Sequence, residues 1–220
     1  MRALVVYCHP SPQSFTAAVR DVVMARLAAG GAEVELLDLY AETFDPVLCR
    51  DGWGAYERIP DNRAAVAAHA AAVRRADALV FVYPTWWYGP PAMLKGWLER
   101  VLVPGVAFSN PAEGPIRPGM THVKTLGVFT TCGASRWLTW FVGAPGRRTF
   151  LRGLRLNCHA RCRTVFAAHY SMDASTPRSR ARHLALAAAK ADRLLPRRAR
   201  AEGGAPEAAA AEAGPEGAAA

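Results

Sequence analysis

The segment Ala78-Leu-Val-Phe-Val-Tyr83 constrains the fold most: six apolar residues in a row, with none of the alternation of a half-exposed strand. A strand apolar on both sides must be covered on both faces, as in a parallel sheet sandwiched by helices. Ala3–Tyr7, Thr125–Thr131 and Thr164–His169 repeat the pattern, and the first meets His9-Pro10 at once. Glu33–Leu39 alternates charged and apolar residues and reads as a strand nearer an edge. The intervening segments change to helical spacing. Val19, Val22, Val23 and Leu27 fall on one face of Phe15–Leu27, which Ser14 can cap and Gly30-Gly31 stop. Further helices are predicted over Asn62–Arg75, Met93–Leu102 and Thr176–Leu195, and the Asp-, Gly- and Pro-rich stretch Tyr40–Pro60 reads as a loop. In the last helix Leu184, Ala187, Ala188, Ala191 and Leu194/Leu195 share a face.

Five strands alternating with helices imply an α/β, doubly wound parallel sheet with helices on both faces, in the flavodoxin-like order 2-1-3-4-5. The chain of 220 residues suits one such domain, over residues 1–198. Ala199–Ala220 holds eleven Ala, four Glu and no aromatic or β-branched residue, which predicts a disordered tail.

With the net charge at +9 and four Glu against one Arg in that tail, the first 198 residues carry +12. No nucleic-acid motif accompanies this charge, so it reads as a solvated surface that attracts phosphate-bearing cofactors rather than nucleic acid. Every apolar stretch is broken before the ~18 residues a membrane span needs, so no stable membrane insertion is expected. The run Ala3–Cys8 is too short for a signal-peptide core, and the reading is cytoplasmic. The five scattered cysteines make no disulfide framework, and Cys158-His159-x-x-Cys162 lacks the second pair a zinc site needs, so no metal is expected.

Ligands of a doubly wound sheet bind at the carboxyl ends of its strands, beside the point where strand order reverses. After the first strand comes His9-Pro-Ser-Pro-Gln-Ser14-Phe15, a helix entry whose free N–H groups and dipole suit a phosphate, without a Gly-x-Gly-x-x-Gly fingerprint. After the third comes Pro84-Thr85-Trp86-Trp87-Tyr88, three aromatics in a loop, which fit the walls of a site for a planar tricyclic ring. After the fourth comes Thr130-Thr131-Cys132-Gly133, a hydroxyl-rich turn able to approach the same ring from the other side.

These segments, with Tyr83-Pro-Thr-Trp-Trp-Tyr-Gly-Pro-Pro-Ala-Met-Leu-Lys-Gly-Trp-Leu-Glu-Arg100 and Pro104-Gly-Val-Ala-Phe108, occur in an order that resembles the NAD(P)H:quinone oxidoreductase (DT-diaphorase-like) branch of the flavodoxin-fold family. The resemblance covers roughly residues 1–195. It implies a flavin, FAD or FMN, with His9, Ser14 and Phe15 at its phosphates. Pro84, Thr85, Trp86, Trp87 and Tyr88 would line the isoalloxazine, and Thr130, Thr131, Cys132 and Gly133 the far side. It further implies NAD(P)H as co-substrate, a quinone-type acceptor taking hydride in the same place, and a homodimer, for which Trp137–Val142 suits the interface. The chain departs from the pattern in one respect. The Tyr and His that follow this turn in the best-known members are missing from Ala134–Pro145, and Cys132 replaces a Gly. Arg136 and Trp137 become the candidate catalytic residues: Arg136 is the only charge in that loop, and Trp137 and Trp140 stand three apart, placed to close over the flavin. Arg147, Arg148 and Arg152 are candidates for the 2′-phosphate of NADPH. A flavodoxin-type electron carrier and a flavin-bearing regulatory partner of a membrane transporter are the alternatives. Electron carriers of that type are acidic, whereas this body is basic.

Overall fold

In the computed structural model, residues 1–109 and 114–196 are described; the tail at 199–220 lies outside them. Five strands form one parallel sheet: β1 (Arg2–Tyr7), β2 (Glu33–Asp38), β3 (Ala78–Thr85), β6 (Thr125–Cys132) and β7 (Arg163–His169). Their order is β2-β1-β3-β6-β7, the doubly wound arrangement expected from the sequence. The remaining pair, β4 (Phe108–Ser109) and β5 (Arg117–Pro118), makes a separate antiparallel ribbon. Two residues are too few to show a period, which is why the sequence gives no sign of it.

Strand alternation divides the core in two. Ala3, Val5, Tyr7, Val80 and Val82 face α1 (Phe15–Ala29) and α7 (Pro177–Asp192). Leu4, Val6, Leu79, Phe81 and Tyr83 face α3 (Ala67–Arg75) and α4 (Ala92–Val101). Full burial of each such aliphatic side chain contributes about 1.5–3 kcal/mol. Helices on both sides explain why β1 and β3 could be read as continuous apolar runs.

The caps also follow the sequence. The Ser14 hydroxyl accepts from the Ala17 amide at 3.1 Å, and Thr176 and Ser179 form a reciprocal capping box at the start of α7. Two segments differ. Asn62–Arg75 is not one helix, because Val66 at φ −129° separates a tighter turn, Asp61–Val66, from α3. The expected loop Tyr40–Pro60 contains a short helix, α2 (Arg50–Gly54), capped by the Cys49 thiol, a weaker signal than a Ser or Asp cap. On this face the Trp97 indole donates to His69 Nδ1 at 3.1 Å, and His69 Nε2 lies 3.3 Å from Glu42. That chain ties α4 and α3 to the loop after β2.

Candidate active site

The carboxyl ends of β1, β3 and β6 open into a cleft of about 630 Å³. Its size is that of a cofactor or drug-sized ligand site. Nine of the twelve residues expected around a cofactor line it. His9 stands at one end, Pro84 to Tyr88 form one wall, and Thr131, Cys132 and Gly133 form the other. The wall from β3 is a tight turn. Trp86 and Gly89 exchange amide hydrogen bonds at 3.1 and 3.0 Å, and the two residues between them, Trp87 and Tyr88, have φ of +49° and +62°. Both centres are left-handed, as in a type I′ turn, where Asn and Gly are the favoured residues. Placing aromatics there costs on the order of 1–3 kcal/mol each, a strain typical of functional loops. Two consequences follow: Trp87 is 96% exposed, and the Trp87 and Tyr88 amides donate to no described group.

His9 is held by its own loop. Its Nδ1 lies 2.9 Å from the Ser11 amide and 3.1 Å from the Ser11 carbonyl, so this nitrogen is engaged by the loop and Nε2 is left free of it. Burial lowers the His9 pKa, which keeps the imidazole neutral. Burial pushes the Cys8 thiol, at the end of β1, up to about 12, so it is an inert core group.

Three of the expected residues lie elsewhere. Ser14 caps α1, with its hydroxyl 3.4 Å from the Tyr7 phenol. Phe15 packs edge-on against His169 and tilted against His183, at 5.4 and 5.9 Å, and its ring belongs to the α1–α7 interface. Thr130 bonds Thr85 at 2.8 Å and faces a smaller cavity behind the wall. Arg136 and Trp137 begin α5 (Arg136–Phe141) and are not part of the cleft lining. Trp137 stacks on Phe141 at 5.5 Å rather than pairing with Trp140. In a helix the i,i+4 neighbour sits more directly above than the i,i+3 one. The sequence reading missed Ala134, Met172 and Asp173, which complete the cleft. Met172 and Asp173 follow β7, and their only signal was position after a strand end.

The flavodoxin-like fold family matches residues 1–194. The chain belongs to that family. Among its relatives, NAD(P)H dehydrogenase (quinone) 1 of Cavia porcellus is 34% identical over a 135-residue alignment, with 53% of this chain and 49% of that protein covered. The chain thus spans about half the length of that relative. Ribosyldihydronicotinamide dehydrogenase (quinone) of Pongo abelii is 33% identical over a 161-residue alignment, with 66% of this chain and 69% of that protein covered. Among solved structures, Smu.1420 from Streptococcus mutans UA159 superposes with a TM-score of 0.75 at 28% identity, over 87% of this chain and 98% of its own. The FMN-dependent NADH-azoreductase of Bacillus anthracis str. Ames Ancestor, solved in complex with FMN, gives 0.66 at 15% identity, over 89% and 99%. That last likeness concerns the fold alone.

Proposed function

We propose that this member of the flavodoxin-like family is a flavin-dependent NAD(P)H oxidoreductase that passes hydride from NAD(P)H to a quinone-type acceptor, as a cytoplasmic homodimer. The observation that carries this reading is the strained aromatic turn Trp86–Gly89 on the wall of a cleft at the point where strand order reverses. The residues present fit a flavin. Trp86 and Tyr88 offer apolar walls to a flat ring, and the free amides of Trp87 and Tyr88 suit heteroatoms at its edge. The first turn of α1, a helix of 15 residues, and the His9 imidazole suit a phosphate-bearing chain. A bound flavin supplies the hydride relay between nicotinamide and acceptor. The protein's part is to stack, orient and exclude water around that relay. Trp87, almost wholly exposed, stands where the two substrates would alternate, and shared space gives parallel double-reciprocal plots.

The names of the Cavia and Pongo relatives support the nicotinamide–quinone chemistry. The test is purification followed by an absorption spectrum and chromatography of the released cofactor, then NAD(P)H oxidation with a quinone. A protein that carries no flavin, and quenches the fluorescence of neither FMN nor FAD, overturns the reading.

A further inference from the structure

A cleft that receives a hydride must tolerate charge. The acceptor ring gains two electrons and one hydrogen nucleus, a net charge of minus one, while the departing nicotinamide takes the matching positive charge. The cleft lining does little to offset this. Its titratable side chains are His9, Tyr88, Cys132 and Asp173: His9 is kept neutral by burial, Asp173 has the wrong sign, and none of the four brings a standing positive charge.

The compensation lies immediately behind the wall. A narrow cavity of about 20 Å³, room for about one water, shares Thr85, Tyr88 and Cys132 with the cleft and is also lined by Thr139, Arg147 and Tyr170. Tyr170 follows β7, and strand alternation turns it to the same side as Phe166 and Ala168. Its hydroxyl has no hydrogen-bond partner among the described residues. Arg147, in α6 (Pro145–Arg148), lies with its guanidinium 5.5 Å over the Phe166 ring and pairs with no described carboxylate, and neither does Arg136. A rigid cation stacked on an aromatic face, without a counter-ion, is an unspent positive potential. Burial pushes the Tyr170 pKa up, helped by Cys132, while Arg136 and Arg147 pull against it. The phenol therefore keeps its proton at neutral pH and acts as a donor.

We propose that Tyr170 and Arg147 are the positioning pair that favours the reduced state of a flavin held in the cleft, Arg147 supplying positive potential and Tyr170 a donor at the shared wall of Thr85 and Cys132. This rests on the flavin reading above. It fills the role that the sequence left open when the expected Tyr and His were missing from Ala134–Pro145. Arg147, Arg148 and Arg152 are all exposed, and of the three only Arg147 also lines the cavity behind the wall.

The test uses the full chain loaded with FMN, and again with FAD, in four forms: wild type, Tyr170→Phe, Arg147→Met and Arg147→Lys. Fluorescence quenching gives the affinity for the oxidised flavin, and dye-linked reductive titration gives the midpoint potential. Tyr170→Phe and Arg147→Met are expected to change oxidised-flavin affinity less than threefold. Each should weaken reduced-flavin binding about tenfold, which for a two-electron couple lowers the potential by about 30 mV. Arg147→Lys should recover most of that loss. Ultraviolet titration of the flavin-free protein should show one phenol moving to higher pH in Arg147→Met. Unchanged potentials in both variants overturn the pair and leave the function standing, and so does an equal loss of both flavin states. Failure of the wild type to bind either flavin overturns the function and the pair together.

Discussion

The Gly146 amide donates to the Tyr88 carbonyl at 3.0 Å, which clamps α6 against the strained aromatic turn. The Trp86–Gly89 pair closes the turn from within, and this contact fixes it from the side of α6. A Cβ on Gly146 would stand 3.1 Å from that carbonyl and 3.4 Å from Gly89 Cα. Both are backbone atoms, and the wall would have to give way. Gly146→Ala is expected to weaken FMN binding about tenfold. Gly153→Ala, where a Cβ meets nothing within 4 Å, is the control. It should leave binding unchanged and raise stability by up to about 1 kcal/mol. Fluorescence titration and urea unfolding of the two variants check both statements.

Replacing Trp86 and Trp87 together with Ala removes the apolar wall without touching the core, since Trp86 is 43% and Trp87 96% exposed. The melting temperature is expected to stay within about 2 °C of wild type, in keeping with the small effects of surface changes. Flavin content of the purified protein should fall below one tenth. A variant that unfolds instead would make the turn part of the fold, and one that keeps its flavin would place the ring elsewhere.

The sheet was legible in the sequence because a parallel strand covered on both faces has to be mainly apolar, and Ala3–Tyr7, Ala78–Tyr83 and Leu126–Phe129 are. Its strand-end loops were legible for a related reason: Trp86, Trp87 and Tyr88 have no place in an ordinary connection. What stayed hidden depends on contacts between distant residues. Phe15 reads as a neighbour of Ser14, yet its ring is claimed by His169 and His183 from β7 and α7. Tyr170 and Asp173 carry no pattern of their own in the sequence, and only the pairing of β7 with β6 brings Asp173 to the cleft and Tyr170 to the cavity behind its wall. Ala134–Pro145 reads as a loop, and neither α5 within it nor the face α5 turns inward shows in so short a segment.

His169 and His183 are both buried, meet edge-to-face at 5.3 Å, and leave Nδ1 and Nε2, respectively, without partners. Burial lowers both pKa values, with Arg180 adding to the effect at His169 and His169 to that at His183, which falls to about 4. The unfolded chain takes up these protons near pH 6.5, whereas the fold resists them. Stability is therefore full above pH 6.5 and is lost as pH falls from 6.5 toward about 4. His183 alone accounts for roughly 3 kcal/mol across that window, at about 1.4 kcal/mol per pH unit. His69, also lowered by burial, acts in the same direction. His183→Leu is expected to flatten the decline between pH 6.5 and 5 when melting temperature is followed against pH. An unchanged slope would show that the pair is not the source of acid sensitivity.

Helix α5 presents an unusual face to the outside. Trp137, Trp140 and Phe141 fall at i, i+3 and i+4, on one side of the helix, and are 66%, 74% and 69% exposed. The opposite side turns Thr139 inward, 3.7 Å from the Cys132 sulfur on the cleft wall. Water-facing clusters of large aromatics mark contact surfaces, and aromatics dominate the energetics of such contacts. If α5 is the interface of the homodimer proposed above, its two faces couple assembly to the site, because a helix seated on a partner holds Thr139 and Cys132 in register. Trp140→Ser/Phe141→Ser removes the outer face and leaves Thr139 and the cleft lining intact. Sedimentation at micromolar concentration should then report a monomer where the wild type is a dimer. Flavin content should remain near that of the wild type, since neither residue lines the cleft. The acceptor half-reaction is expected to slow about tenfold, or about 1.4 kcal/mol of transition-state stabilisation, as the wall loosens. Arg136→Ala, which keeps the aromatic face, should leave the dimer in place and so separates charge from assembly. A double variant that stays dimeric would move the interface to another surface and leave α5 as a cover over Cys132.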